Sequence, residues 1–574
     1  MEFETQQEVE AAIDQHYRTI CDLKFRWNMF SPINRRFPPE VLEEVFLYYA
    51  MGMCPSVYEF LHRSSPGAYA WIRIGHVCRF WREIVLQLPR MWGHITVGPY
   101  TMPECVDEML RRSRQTSLVV QAYLPAHTLS GFTSLSVVLA QLHRTRNLNL
   151  TVSAAHLVEH FGTLGGTAPK LRNFTLTEPF GLGSPVDPPF PTQATHLNRL
   201  VISGHPLTKV QQMFCPSLRH LSLSSMNIDS LEILYQSLVK MPSIRTLELQ
   251  FLDMHNTISM FSDENVALPH LRSMRLSAGG NSAALCARFL RRVTFPGDTS
   301  ISCIGFQDVV GYFRGSSTAF VSAIADKLNG VGTIGTPLPL KSLSLRSSKS
   351  GETALVMQGW TSEHTVDSLH RGIRKHCQFE NQWSARCAII QVVELCSAIK
   401  LSEVTSFYIS DHPLARFEIY DWVKAFMQMQ KLRTLDVRSF AARTLPAVLM
   451  LQHDGPNSMP GGPSGAKPIL QWKPMFPSLQ RLVLRGVHFK EYYRQKDELT
   501  FLAVLGEALR KRKSRGLQLP QLVIQDAVNF TASDENRLAL LVKHLEWDGE
   551  ETILDDREED EKNCTDEEEF DSDG

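Results

Sequence analysis

One six-residue pattern, Leu-x-x-Leu-x-Leu, recurs along most of this chain and limits what it can fold into. It reads "LRNFTL" from Leu171, "LNRLVI" from Leu197, "LRHLSL" from Leu218, "IRTLEL" from Ile244 and "LRSMRL" from Leu271. It returns as "LKSLSL" from Leu340, "VTSFYI" from Val404, "LRTLDV" from Leu432, "LQRLVL" from Leu479 and "LPQLVI" from Leu519. Side chains alternate along a strand, so positions one, four and six point inward while three, five and seven stay exposed. No single unit can close its own core, and neighbouring units must therefore stack. The first five starts lie 26, 21, 26 and 27 residues apart, and helix-like stretches separate them.

That period lies in the leucine-rich-repeat range. The expected fold class is α/β: a short helical N-terminal module, then an irregular leucine-rich-repeat-like solenoid with a parallel sheet. Wider gaps conceal candidate degenerate units at "TSISCIGF" and "ETALVMQ", and "RNLNLTV" around Asn147 reads as an earlier one. The Pro/Gly-rich inserts "PFGLGSPVDPPFP" and "HDGPNSMPGGPSGAKP" read as surface loops. The chain divides into an amphipathic helix (1–30), a helical module (31–95), the repeats (96–547) and an acidic tail (548–574).

Before the repeats, Val9, Ile13, His16, Ile20, Leu23 and Trp27 are spaced four, three, four, three and four apart, one apolar stripe of a helix. Packing against the following module is its expected use. Pro39 suits the first turn of a second helix, with Val41, Leu42, Val45, Phe46 and Tyr49 on its apolar face. Trp71, Ile74, Val77, Trp81, Val85 and Leu88 trace a third, ended before Pro89. So few residues cannot cover Phe80, Trp81 and Trp92 alone, so a partner or the adjoining repeats must help.

These helices resemble an F-box, the module that docks on the Skp-type adaptor of cullin–RING ubiquitin ligases. The family's Leu-Pro-x-Glu-Leu-Leu-x-x-Ile-Phe is similar to "FPPEVLEEVF", with Phe37 in place of the first leucine. Val77, Cys78 and Trp81 match its Val-Cys-x-x-Trp, and Trp92 its closing tryptophan; the connection from Tyr48 to Trp71 is longer than the family norm. With the repeats, the layout resembles fungal F-box-like proteins with degenerate leucine-rich repeats, substrate receptors of SCF-type ligases. The resemblance implies adaptor contacts or their support at Phe37, Pro38, Leu42, Val45, Phe46, Val77, Cys78, Trp81 and Trp92. It further implies a non-catalytic adaptor, with no catalytic residues, metal or cofactor, that presents a protein substrate. A repeat scaffold without a ligase role, its N-terminal helices a mere cap, is the alternative.

Charge bears on the substrate. From Asp548 onward fifteen Asp and Glu face two basic residues, so a chain of net charge −1 carries +12 on its other 547 residues. In the repeat register Arg275, Arg346, Arg438, Arg481 and Arg485 occupy exposed strand positions, sharing their face with His220, Glu248 and Asp436. Guanidinium groups pair bidentately with carboxylate, so an acidic protein segment is the expected ligand. Solvated positions, some meeting only the acidic tail, are the plainer reading. Nucleic acid and membrane are not expected partners.

Other signals are weaker. "GVGTIG" at Gly330–Gly335 follows a helix-like stretch and precedes "TPLPL", the wrong context for a dinucleotide turn. His376, Cys377, Cys387 and Cys396 lack zinc-site spacing. "RKRKSR" at Arg510–Arg515 reads as a basic helix end or an import patch. Eleven cysteines without a CxxC pair, and no signal-like N-terminus, fit a cytoplasmic or nuclear protein.

Overall fold

Every one of the ten Leu-x-x-Leu-x-Leu segments contains a β-strand in the computed structural model. It describes residues 5–52, 69–125, 129–161, 167–179, 194–205, 207–226, 231–251, 265–278, 283–306, 314–347, 354–370, 377–384, 388–410, 417–453, 473–490, 492–494 and 497–553. The chain separates into two units, Met1–Ile244 and Arg245–Gly574.

The first unit begins with helix Gln6–Met29, whose start is fixed by reciprocal hydrogen bonds between Thr5 and Glu8. No residue of this helix is buried, so its apolar stripe does not pack on the following module as expected. Helices Pro32–Arg36 and Pro39–Gly52 follow. The third expected helix is instead two elements, the 3-10 segment Ala70–His76 and helix Arg79–Gln87. Cys78 is extended between them (φ −156°, ψ 169°), and Arg82 Nε donates to Gly75 O at 2.9 Å across the break. Helix Pro89–Trp92 leads into the repeats.

Six parallel strands then stack: His94–Val97, Leu118–Leu124, Thr145–Val152, Asn173–Thr177, Arg199–Ser203 and His220–Met226. Their register draws Ile95, Val120, Leu148, Phe174, Leu200 and Leu221 into one file. Val97, Ala122, Leu150, Leu176, Ile202 and Leu223 form a second, and all twelve are buried.

In the second unit, Thr246–Phe251, Ser273–Ala278 and Ser300–Phe306 continue the parallel pattern. Strand Ser342–Ser347 does not come next. Its antiparallel partner Ala354–Trp360 pairs with Phe379–Ser384, also antiparallel, and Phe379–Ser384 lies parallel to Ser300–Phe306. "TSISCIGF" is therefore a repeat strand, whereas "ETALVMQ" runs against the sheet. Gly359 belongs there because a Cβ would sit 3.2 Å from both Leu340 methyls. Beyond Ser342–Ser347 the parallel order resumes through Ser406–Ile409, Thr434–Arg438, Arg481–Arg485, Gln521–Gln525 and His544–Trp547.

The expected boundary at 548 moves outward. Asp548 Oδ2 accepts from Asp526 N at 2.7 Å, and Thr552 bridges Val528, so the first residues of the acidic stretch belong to the fold. Residues 554–574 and nearly all of both Pro/Gly-rich inserts lie outside the described residues. "GVGTIG" follows helix Arg314–Leu328, with Gly330, Gly332 and Gly335 all at positive φ and Lys327 Nζ bonded to Gly332 O. Within "RKRKSR", Arg512 is buried at the end of helix Phe501–Ser514 and donates to Met475 O and Phe476 O.

Leu435 is fully buried between neighbouring strands, whereas Arg438 on the same strand is exposed. Leu435→Ala should cost about 3 kcal/mol through the cavity it leaves, and Arg438→Ala under about 0.5 kcal/mol. Urea unfolding of both variants checks this.

Candidate binding surfaces

The nine residues singled out in the helical module divide into two sets. Leu42, Phe46 and Trp92 are buried and cannot themselves touch a partner. Phe46 packs on Trp81, ring centroids 4.9 Å apart, and Trp81 Nε1 donates to Asn34 Oδ1 at 2.7 Å, so Trp81 is half-buried. Trp92 meets Trp71 edge-on at 5.2 Å, donates to Val85 O at 2.8 Å and lies under the Arg112 guanidinium. This closing tryptophan thus seats the module on the first repeat.

Phe37, Pro38, Val45 and Val77 are exposed, Val45 by 55% and Val77 by 60%, and Cys78 is intermediate. On helix Pro39–Gly52 the buried side carries Leu42, Phe46, Leu47 and Ala50. The opposite side leaves Val41, Val45, Tyr48 and Tyr49 in solvent. Among the described residues one side of this helix is buried while a second apolar strip stands uncovered, a feature surplus to folding. Residues 53–68, within the long connection, lie outside the described residues.

The five sheet arginines do not form the expected surface. Arg275 lies four strands from Arg346, on the order of 19 Å at ordinary strand spacing. It is exposed and in register with Glu248. Arg438 is exposed, while Arg346 and Arg481 are half-buried. Arg485 has a side chain only 12% exposed, held by Asp436 Oδ2 at 2.9 Å, Asp367 Oδ1 at 2.6 Å and Gln525. Asp436, expected on the open face, is completely buried.

A segment of the chain itself covers that region. After Trp360 it crosses the sheet face as helix Val366–His370. Ser342 Oγ anchors its start, donating to Ser362 O at 3.0 Å and accepting from His364 N at 2.8 Å. Val366 packs on Val483 and Val523, and Leu369 on Trp360 and Tyr408. Asp367 then closes the chain Asp367–Arg485–Asp436. Burial pushes the Asp436 carboxyl up to about 6, although Arg485 beside it favours its charged form.

A more coherent basic line stands at the strand entries, where sequence reasoning did not look. The residue following the first leucine of many repeats is basic, as in Leu-Arg-Asn, Leu-Arg-His and Leu-Arg-Ser. In the first unit Arg146, Arg172 and Arg219 are exposed. Backbone bonds tie Arg172 to Arg146, Asn198 to Arg172 and Arg219 to Asn198 at 2.7–2.9 Å, so the side chains mount the sheet edge in order. A cleft of about 360 Å³ opens there between Arg146, Lys170, Arg172 and His196.

Of the loose Cys/His group, His376 and Cys387 lie outside the described residues. Burial pushes the Cys377 thiol up to about 12, and Cys396 further still, so neither supplies thiolate near neutral pH. No described helix is long and apolar enough to cross a membrane.

No protein-family model matches the chain. No curated protein matches it either. Among solved structures it is similar to a chain in the crystal structure of the TLR13–ssRNA13 complex, at 12% identity and a TM-score of 0.28. The match covers 78% of this chain and about half (50%) of that one. So distant a likeness leaves function to be read from this chain's own geometry.

Arg485→Met should strand the buried Asp436 carboxylate. An acid whose folded pKa is raised contributes most to stability below its unfolded value, here near 4, and loses that contribution as pH rises through about 6. Removing Arg485 deepens the loss. The variant should therefore be less stable than the parent by about 3 kcal/mol at pH 8 and by clearly less at pH 5. Urea unfolding at the two pH values checks the sign.

Proposed function

We propose that this chain is a non-catalytic substrate adaptor of an SCF-type cullin–RING ubiquitin ligase. Its helical module would dock on a Skp-type adaptor, and its repeats would hold a protein substrate. The observation that carries this reading is the uncovered strip Val41, Val45, Tyr48 and Tyr49, together with exposed Phe37 and Val77, opposite the buried face Leu42, Phe46, Leu47 and Ala50. Phe37, Val41, Val45 and Val77 belong to the two segments that resemble the F-box, Tyr48 and Tyr49 continue the first of them, and buried Leu42 and Phe46 with half-buried Trp81 set the packing beneath.

The surface best fitted to an acidic substrate segment is the strand-entry line Arg146, Arg172 and Arg219, not the sheet-face arginines. All three residues are exposed on one edge, Arg146 and Arg172 at adjacent levels and Arg219 two levels further, beyond Asn198. The face around Arg485 is occupied by the chain's own segment 361–370, whose Asp367 takes up the Arg485 guanidinium.

A second reading, a repeat scaffold capped by its N-terminal helices, draws on the Trp71–Trp92 joint, which seals the first repeat. Capping alone leaves the outer strip unexplained. Val45→Asp with Val77→Asp separates the two, because both residues are exposed and an aspartate at either stays hydrated in the free protein. Co-purification with the Skp-type adaptor should fall on the order of a hundredfold in affinity, with unchanged melting temperature. Adaptor binding that survives the double substitution, or is absent in the parent, removes the ligase reading. Reversing Arg146, Arg172 and Arg219 to Glu should leave adaptor binding intact and weaken capture of acidic peptides.

A further inference from the structure

Helix Gln6–Met29 has two distinct sides. One holds it to the module: Asp22 Oδ1 pairs with Arg79 Nη1 at 3.3 Å, and the Arg79 guanidinium lies 5.6 Å over the Phe25 ring. At about 100° per residue, Asp22 and Phe25 point directly away from the stripe Val9, Ile13, His16, Ile20, Leu23 and Trp27. Phe30 extends that stripe by a further step of three. The whole stripe is open to solvent, from 38% exposure at Val9 to 78% at Trp27. Steps alternating between four and three residues are those of a two-stranded coiled-coil seam, here about 32 Å long from Val9 to Phe30.

We propose that this seam is a self-association site, occupied by the same helix of a second copy of the chain in antiparallel orientation. The flanking charges choose both occupant and direction. Glu10 and Lys24 lie on the same flank of the seam, two heptads apart. An antiparallel pair sets the same flanks together, so each Glu10 meets the partner's Lys24, and the contact forms twice. A parallel pair sets that flank against Thr5, Ala12 and Thr19, which leaves both charges unmatched. Antiparallel layers also fit by size, with Trp27 facing the partner's Val9 and Ile13 facing the partner's Leu23. This interface is independent of the proposed docking strip, because it uses another helix.

Sedimentation equilibrium of the full chain tests it. The parent should dimerise at concentrations up to about 100 µM, as befits a short interface. Ile20→Glu with Leu23→Glu should weaken the dimer on the order of a hundredfold, with unchanged circular dichroism and melting temperature, since both residues are exposed. Glu10→Lys alone should weaken it about tenfold, and Glu10→Lys combined with Lys24→Glu should restore it. A parent that stays monomeric, a dimer indifferent to the seam substitutions, or a charge swap that fails to restore association would each overturn the proposal.

Discussion

The inward-facing side chains of each strand are covered only by the strands on either side and the helical returns behind. In the first unit this builds two uninterrupted files, from Ile95 to Leu221 and from Val97 to Leu223, and much of the rest follows from them. A one-residue slip of any strand would turn its file outward, so the register is fixed by burial. The end of such a stack exposes a raw apolar layer unless something closes it. Trp92, wedged against Trp71 and under Arg112, does this for the first strand. An aromatic helix without catalytic neighbours has a structural use before it has any other.

The outward-facing positions are free of that constraint, and the second unit uses some of them to bind its own chain. Segment 361–370 buries Val366 and Leu369 on the sheet face and lays Asp367 against Arg485. Arg485 is thereby held between two carboxylates, one of them the wholly buried Asp436. Such a buried pair is a weak source of stability but a strict one of geometry: either charge left alone is costly. The Arg485 guanidinium is thus taken up within the chain, whereas the strand entries of the first unit carry Arg146, Arg172 and Arg219 exposed along one edge.

The repeats were legible because their signal is periodic and their cause local: Leu171, Phe174 and Leu176 are buried together, as are their counterparts in later units. The antiparallel strand Ala354–Trp360 was not, since alternation reads the same in either direction and cannot reveal a partner. Arg485 misled for a similar reason. Its strand position predicts exposure, and only the crossing of a segment 118 residues away from Asp367 to Arg485 covers it. Within the helical module, periodicity grouped Val77 with Ile74 and Trp81, but the extended backbone at Cys78 interrupts the helix and leaves Val77 outside. The stripe of the first helix is legible as apolar but stands exposed, because a pattern shows which face seeks cover and not where the cover lies.

The helical module therefore leaves apolar surface uncovered among its described residues, which a docking partner would cover. Hydrogen exchange of the full chain, alone and with a Skp-type adaptor, tests this most directly. Docking through this strip predicts slowed exchange over residues 37–52 and 77–88 when the adaptor is present, with the strands of both units unchanged. Unaltered exchange in those helices, or protection confined to the repeat strands, would contradict it.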